Sequence, residues 1–295
     1  MSSEQQKDVL KEWRESAPYW AKHADIVRAM FEPITHALIE AGGISEGHAV
    51  LDIAGGSGEP SISISSVVGP TGSVICTDAV AEMVATSRRE ARKRGRTNVE
   101  FGQCLAESLP FLDDKFDAVV CRLGVMLFPD PSAAIHEMLR VLKPGGQMSC
   151  AVWYARDSNP FFGVVMEVMS RFIESPPEDP DAPGAFRFAE RGKLARMLAE
   201  SGAIDVSERL LEFELDAPIT PRQFWEVRVE LSDTLRAKVA SLSSEQAERV
   251  AREVEEAGRA FFTAGRMRFP GRVLIVTGTK AWAGEAHGGL TSIER

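Results

Sequence analysis

Val50-Leu51-Asp52-Ile53-Ala54-Gly55-Gly56-Ser57-Gly58-Glu59-Pro60 sets a glycine-rich turn directly after an apolar run and ahead of Pro60, a residue suited to the first turn of a helix. A strand, bare turn and helix in that order let a nucleotide-like ligand approach the backbone closely. Twenty residues beyond Gly58, Asp78 closes a second β-rich run, Val74-Ile75-Cys76-Thr77-Asp78. An acid at that position can accept both hydroxyls of a ribose. The pair of features points to an adenosine-containing ligand.

Charge narrows the choice. A dinucleotide would bring an anionic pyrophosphate to the turn, yet no Lys or Arg stands in the loop to receive it. S-adenosylmethionine brings a sulfonium and an ammonium, and Asp52 is expected to stabilise that cationic end. An NAD(P)-dependent reductase shares the layout but is disfavoured by Asp52 and by the lack of a Tyr-x-x-x-Lys pair. Four residues after Tyr19 and Tyr154 stand His23 and Ser158.

Outward from the loop, β-rich runs alternate with helical ones, which implies right-handed crossovers in a mostly parallel sheet. Strands are expected near 49–53, 73–77, 98–103, 116–121, 146–153 and 204–215, with a closing strand from Arg272 to Thr277. Helices are expected near 59–67, 80–94, 132–142 and 190–201. Lys143-Pro144-Gly145-Gly146 reads as a stop between a helix and the strand after it. Residues 1–44 form an N-terminal helical cap of two or three helices ending at Gly42-Gly43. The cofactor-binding core spans 45–153, and an insertion with a Pro-rich middle spans 154–189. The core resumes over 190–280 with a helical insertion at 220–268, and 281–295 is a tail. Ser243 and Gln246 make a candidate capping box. Apolar positions at Leu231, Leu235, Val239, Leu242, Val250 and Val254 fit a substrate lid, a homodimer surface, or both.

At 44% hydrophobic and 26% charged residues the composition is that of a water-soluble globular protein. A net charge of -9 argues against a nucleic-acid partner. The basic stretch Arg88, Arg89, Arg92, Lys93, Arg94, Arg96 reads as a solvated helix end, where cations meet the negative end of the dipole. No run approaches the ~20 apolar residues of a membrane span, and the N-terminus lacks a signal-peptide layout, so a cytoplasmic location is expected. Cys76, Cys104, Cys121 and Cys150 show no zinc-type spacing and read as small buried hydrophobes, so no metal is expected.

Taken together in order, the loop, Asp78, Asn98-Val99-Glu100-Phe101, Ala106-Glu107-Ser108-Leu109-Pro110-Phe111, Phe116-Asp117-Ala118-Val119-Val120 and Val141-Leu142-Lys143-Pro144-Gly145-Gly146 resemble the class I methyltransferases. The resemblance is particularly to the ubiquinone/menaquinone-biosynthesis-like (type 11) group. The resemblance covers roughly 45–153. It implies a Rossmann-like α/β fold, a seven-stranded mostly parallel sheet with its last strand antiparallel, and S-adenosyl-L-methionine as cofactor, leaving S-adenosyl-L-homocysteine as product. It also implies cofactor contacts from Asp52, Ala54, Gly55, Gly56 and Gly58, ribose binding by Asp78, and an adenine wall of Ala79 and Met83. Further contacts are implied from Ala106, Glu107, Cys121, Arg122 and Leu123, with Trp20 on a cofactor-covering helix. Two departures stand out. Ala54 occupies a position where the family usually has Gly, so the turn must tolerate a Cβ, with Gly55 expected to help. Leu105 replaces an Asp that would meet the adenine amino group, leaving backbone groups or Glu107.

Methyl transfer from a sulfonium is an in-line displacement, so alignment in a pocket with little water matters more than a dedicated base. Of the five histidines (His23, His36, His48, His136, His287), His23 is the best catalytic candidate because it follows Tyr19-Trp20. Met126, Phe128, Trp153, Tyr154 and Phe162 are candidate acceptor contacts, and Phe161 and Trp225 are also expected to face the pocket. They favour an apolar or aromatic small-molecule methyl acceptor, with Tyr154, Arg156 and Arg122 as polar anchors. A protein that binds the cofactor without transferring methyl would carry the same loop and ribose acid. An arsenic methyltransferase would need clustered cysteines, which this chain lacks.

Overall fold

The computed structural model describes residues 3–174 and 179–282, with side chains described from residue 10 onward. The loop's flanks are as the apolar alternation demands. In β1 (Ala49–Ile53), Leu51 and Ile53 face one core cluster and Val50 the other. In β4 (Phe116–Arg122), Val119 and Cys121 side with the first cluster and Ala118 and Val120 with the second. Strands apolar on both faces belong in the middle of a parallel sheet covered by helices on each side.

That sheet has the order β3-β2-β1-β4-β5-β8-β6. It contains β2 (Ser73–Asp78), β3 (Val99–Gln103), β5 (Leu142–Trp153), β6 (Ala203–Ala217) and β8 (Arg266–Lys280). All pairs from β3 to β5 are parallel, and β8 runs antiparallel to both its neighbours. The two-residue β7 (Phe262–Thr263) pairs with the start of β8, making eight strands among the described residues. The fold is the expected Rossmann-like α/β sheet.

Two helices lead in, α1 (Ser3–Lys22) and α2 (Ala24–Ala41), the latter ending at Gly42. The second cluster lies under α3 (Ser61–Val68), while α4 (Ala81–Lys93) packs along β2 and β3; α2 and α5 (Pro131–Val141) cover the first. A 3-10 turn (Arg156–Ser158) precedes α6 (Pro160–Met169). Buried Asn159 pins this junction: Nδ2 donates to the carbonyls of Tyr154, Ala155 and Arg272 at 3.0–3.1 Å, and Oδ1 accepts from the Arg272 amide at 2.8 Å. Helix α7 (Lys193–Glu200) then leads into β6.

Three expectations are corrected. Lys143-Pro144-Gly145-Gly146 is no stop: β5 begins at Leu142 and runs through it, with a register shift against β4 between Phe116 and Ala118. Pro60 caps α3 from outside, and the helix starts at Ser61. Strand β8 (Arg266–Lys280) is much longer than 272–277, while β6 exceeds 204–215 by one residue before and two after, the two pairing from Ala203–Lys280 to Ala217–Met267. They outrun β5, whose last partner on β8 is Val273. From this overhanging ribbon hang α8 (Pro221–Glu230), α9 (Asp233–Ala240) and α10 (Ser244–Gly258). Ser243 with Gln246 forms its capping box, and Thr220 with Gln223 forms a second on α8. Residues 283–295, including His287, and the Pro-rich 175–178 lie outside the described residues.

Candidate functional site

One cleft of about 1070 Å³, counting its solvent-open mouth, lies at the carboxyl ends of β1, β2 and β4. Open α/β sheets take their ligands at this edge, where the strand order reverses. Its floor is the loop after β1. Ala54 (φ 57°), Gly56 (φ 54°) and Gly58 (φ 112°) all adopt positive φ, which glycine tolerates and alanine resists. The room for the Ala54 methyl comes from Gly124, not Gly55. A Cβ on Gly124 would stand 2.7 Å from that methyl and 2.8 Å from Cys121 Sγ. Gly55 serves another need: a Cβ there would lie 2.5 Å from Cys76 Sγ and 2.9 Å from Asp52 Oδ2. Gly56 faces open space, so its bare backbone is presented to whatever occupies the cleft.

Strand alternation decides the place of Asp52. With Leu51 and Ile53 turned one way, Asp52 turns to the α3 side, fully buried and outside the lining. Its Oδ2 accepts from the Ser61 amide (3.1 Å) and hydroxyl (2.6 Å), capping the positive end of α3. Oδ1 is buried without a partner. Burial pushes its pKa up to about 7 against the pull of Ser61 and Arg122.

Asp78 does line the cleft. Oδ2 accepts from the Gly56 amide at 3.0 Å and Oδ1 from Val80 at 2.9 Å, so the end of β2 and the floor loop are tied together. Each oxygen keeps lone pairs for a hydroxyl donor. Burial raises its pKa to about 6 against these amides.

The walls come from six further segments. Ala79 and Met83 stand beside Asp78; Ala106 and Glu107 follow β3 together with Cys104 and Leu105; Arg122, Leu123 and Gly124 end β4. Leu127, Phe128 and Pro129 close one side, Phe31 of α2 another, and Leu10, Trp13 and Trp20 of α1 form the roof. Trp20 Nε1 is buried with no partner, a donor available to a ligand. Glu107 accepts weakly from the Asp130 amide at 3.3 Å. Arg122 donates to Thr35 Oγ1 at 2.9 Å and lies 5.7 Å from the Phe31 ring centroid. Burial lowers its pKa, opposed by Glu59 and Asp52.

Of the residues anticipated from sequence, the cleft thus gathers Trp20, Ala54, Gly55, Gly56, Asp78, Ala79, Met83, Ala106, Glu107, Arg122, Leu123 and Phe128. Asp52, Gly58 and Cys121 stand behind it: a Gly58 Cβ would lie 3.3 Å from Ser87 Cα, and Cys121 is buried in the first core cluster. Met126, Trp153, Tyr154 and Phe162 are also outside the lining. His23 is buried with Nε2 2.5 Å from Glu230 Oε2, facing α8. Burial raises all four cysteine thiols, as small apolar side chains would have them. Leu10, Trp13, Phe31, Ser57, Glu59 and Leu127 were not anticipated. The α1 residues carry an i, i+3, i+10 apolar spacing that is visible in the sequence, but only tertiary docking shows that it covers a ligand site.

A second set of contacts holds this roof. Glu230 on α8 receives Lys22 (2.7 Å) as well as His23, and they hold its carboxyl below its ordinary range despite burial. Arg236 on α9 donates to Ser16 Oγ at 2.6 Å and lies 4.8 Å from the Tyr19 ring centroid.

Comparison with known proteins follows the same segment. Residues 33–173 match the ubiE/COQ5 methyltransferase family. The ubiquinone/menaquinone biosynthesis C-methyltransferase UbiE of Pseudomonas putida is 45% identical over 111 residues, 37% of this chain and 43% of that protein. UbiE of Hahella chejuensis is 38% identical over 133 residues, 45% and 53% of the two chains. The uncharacterised protein Mb1440c of Mycobacterium bovis is 35% identical over 159 residues, 53% and 55%. The chain therefore spans about half the length of the curated relatives it matches. Among solved structures, YcgJ of Bacillus subtilis superposes with a TM-score of 0.53 at 22% identity, covering 84% of this chain and 98% of that one. Phosphoethanolamine N-methyltransferase 2 of Haemonchus contortus, solved with phosphomonomethylethanolamine and S-adenosylhomocysteine, gives 0.54 at 17% identity over 92% and 60%. These likenesses establish the shared fold.

Proposed function

We propose that this chain, whose residues 33–173 match the ubiE/COQ5 methyltransferase family, is an S-adenosylmethionine-dependent methyltransferase acting on a small apolar or aromatic acceptor. The observation that carries the reading is the cleft floor: Asp78 with spare lone pairs at the end of β2, tied to a loop whose Gly56 backbone is bare. The residues present fit the cofactor. Asp78 would take the ribose hydroxyls, Ala79 and Met83 one face of the adenine, Ala106 and Glu107 its edge, and the Ala54–Ser57 backbone the methionine part. When bound, the cofactor supplies an electrophilic methyl group.

The chain's own contribution is alignment and exclusion of water. Trp13 and Trp20, with ring centroids 5.9 Å apart, roof the cleft, and Phe31, Leu127 and Phe128 keep its walls apolar. An apolar enclosure favours spreading the sulfonium charge in the transition state over keeping it localised in water. Glu59, Asp78, Glu107 and Arg122 are the Asp, Glu, Lys, Arg and His residues that line the cleft, and none is a histidine. The reading therefore assigns no general base to His23.

Titration calorimetry with S-adenosylmethionine, S-adenosylhomocysteine and NADH, on the protein and on Asp78→Ala, tests this. Micromolar binding of both sulfur ligands, lost in the variant and absent for NADH, supports the reading. It would be followed by transfer of labelled methyl to a panel of aromatic acceptors. Binding of NADH alone, or of nothing, overturns it.

A further inference from the structure

Among the described residues, Arg228 on the helical insertion combines a sealed guanidinium nitrogen with a place outside the ion-pair network around it. On the same three helices Arg222 meets Glu248 and Glu255, Arg249 meets Glu253, and Arg236 meets Ser16. Arg228 of α8 has no hydrogen bond or ion pair with any described residue, and its Nε is sealed from solvent without a partner. Its guanidinium carbon lies 4.7 Å from the Phe161 ring centroid and 4.6 Å from that of Phe162. Burial, with no anion to oppose it, holds its pKa down to about 10. Ring faces offset part of the desolvation of a guanidinium, but they cannot use its five forked N–H donors. Nε is sealed without a partner while the Nη atoms are not, so the outer edge of the fork is open to a ligand, and a buried donor left unmade is costly.

The surroundings say what would use it. Phe162 stands edge-on to Trp153 (4.9 Å) and to Phe186 (5.2 Å), and Trp153 in turn meets Phe31 (5.9 Å), a wall of the cleft. Phe162 and Phe186 both keep part of their surface accessible. The line of rings thus runs from the cleft wall to the unpaired guanidinium. A ligand matching it is flat and apolar along its length and anionic at its far end.

We propose that Arg228 is a receptor for the carboxylate of an aromatic acid, which lies against Phe162 and Phe186 with its other end toward Phe31. Resting on the methyl-transfer reading, this makes the acceptor an aromatic carboxylic acid and Arg228 the residue that selects it. The guanidinium fork takes both carboxylate oxygens, and the neutral amide of the same ring system is discriminated against. The carrier helix is itself clamped to the roof through Glu230, two residues on, so the receptor is held in place relative to the cleft.

The test uses 2-naphthoate and 2-naphthamide as probes, titrated into the full chain with and without saturating S-adenosylhomocysteine, for the wild type, Arg228→Met and Arg228→Lys. Naphthoate is expected to bind the wild type at least tenfold more tightly than the amide. That preference should vanish in Arg228→Met and persist in part in Arg228→Lys, with S-adenosylhomocysteine affinity unchanged. Because Met removes a buried charge that lacks a counter-ion, the variant should melt at or above the wild-type temperature. An arginine kept only for packing would give a lower melting temperature. Equal affinity for naphthoate and naphthamide, or a naphthoate preference that survives in Arg228→Met, overturns the proposal. So does inorganic phosphate competing as well as naphthoate, since the rings would then play no part. Failure of S-adenosylhomocysteine to bind strikes the methyl-transfer reading instead, and the naphthoate comparison without it is read separately.

Discussion

Replacing Gly124 by Ala should damage the floor of the cleft through contact with a residue seventy positions away. Gly124 has an ordinary backbone for an L-residue (φ -99°), so the substitution meets no conformational penalty there. Its new methyl, however, would stand 2.7 Å from the Ala54 methyl and 2.8 Å from Cys121 Sγ, contacts that real Cβ atoms essentially never show. Overpacking of this kind costs about 1–3 kcal/mol. Lower entropy of the unfolded chain returns about 0.4–1 kcal/mol, leaving a net loss of roughly 1–2 kcal/mol. At about 2–4 °C per kcal/mol the melting temperature should fall by roughly 2–8 °C. Ala54→Gly alone should be near neutral, because relief of the left-handed conformation, about 1–2 kcal/mol, is offset by about 0.5–1 kcal/mol of added chain entropy. In the double variant the Ala54 clash is gone but the Cys121 contact remains, so about half the loss should return. The coupling energy should therefore be roughly 1 kcal/mol, measured by urea unfolding of all four proteins in a double-mutant cycle. Additive effects, within about 0.3–0.5 kcal/mol, would show that Gly124 is not what accommodates the Ala54 side chain.

The raised pKa of Asp52, about 7 in the folded chain against 3.8 ordinarily, means the native state holds a proton that the unfolded chain has released. Stability should then fall as pH rises from about 4 to 7, by about 4 kcal/mol as a ceiling, and Asp52→Asn should flatten that slope in urea midpoints taken at pH 5 and 8. An equal slope in the variant would exonerate Asp52. Asp78, at about 6, must be ionised to serve ribose hydroxyls best, so S-adenosylhomocysteine affinity should rise through pH 6 and level off above 7; Asp78→Asn should bind weakly at every pH. Asn159→Ala takes this partner from the Tyr154 carbonyl and the Arg272 amide, while the Ala155 and Arg272 carbonyls keep the Ser158 and Tyr154 amides, and a loss of roughly 2–3 kcal/mol is expected by calorimetry; a loss under about 1 kcal/mol would mean water replaces the side chain. Glu230→Ala should release α1 without touching the cleft floor, seen as faster amide exchange over residues 10–22. Unchanged exchange there would show that Arg236 alone holds the roof.

The sheet was legible because short β-rich apolar runs alternate with helical ones along the core, so β1 to β4 fall within a residue or two of their expected bounds. What local sequence does not encode is pairing. Lys143-Pro144-Gly145-Gly146 looks like a stop, yet backbone pairing from β4 begins at Leu142 and carries the chain through it. The length of β6 and β8 likewise depends on each other and not on either pattern alone. At the site, Asp78 and the loop backbone were readable because one strand end and one turn define them. Asp52 was read as a ligand for positive charge, whereas the parity of β1 directs it to the first amide of α3. Gly124, Glu230 and Arg228 matter only through residues distant in the chain, and no local signal marks them.

The overhanging ribbon of β6 and β8 has a consequence for how this chain can change. Ala217 and Met267 face one another across it, so the insertion between them leaves and rejoins the core at nearly one point, about 5 Å apart. Everything from α8 to β7 is therefore a cassette on a stem. It can be lengthened, exchanged or cut back to a hairpin turn without moving any strand that builds the cleft floor. A chimera carrying another chain's cassette on this stem should keep the cleft floor, and should keep the roof only where that cassette supplies partners for Lys22, His23 and Ser16 as Glu230 and Arg236 do here.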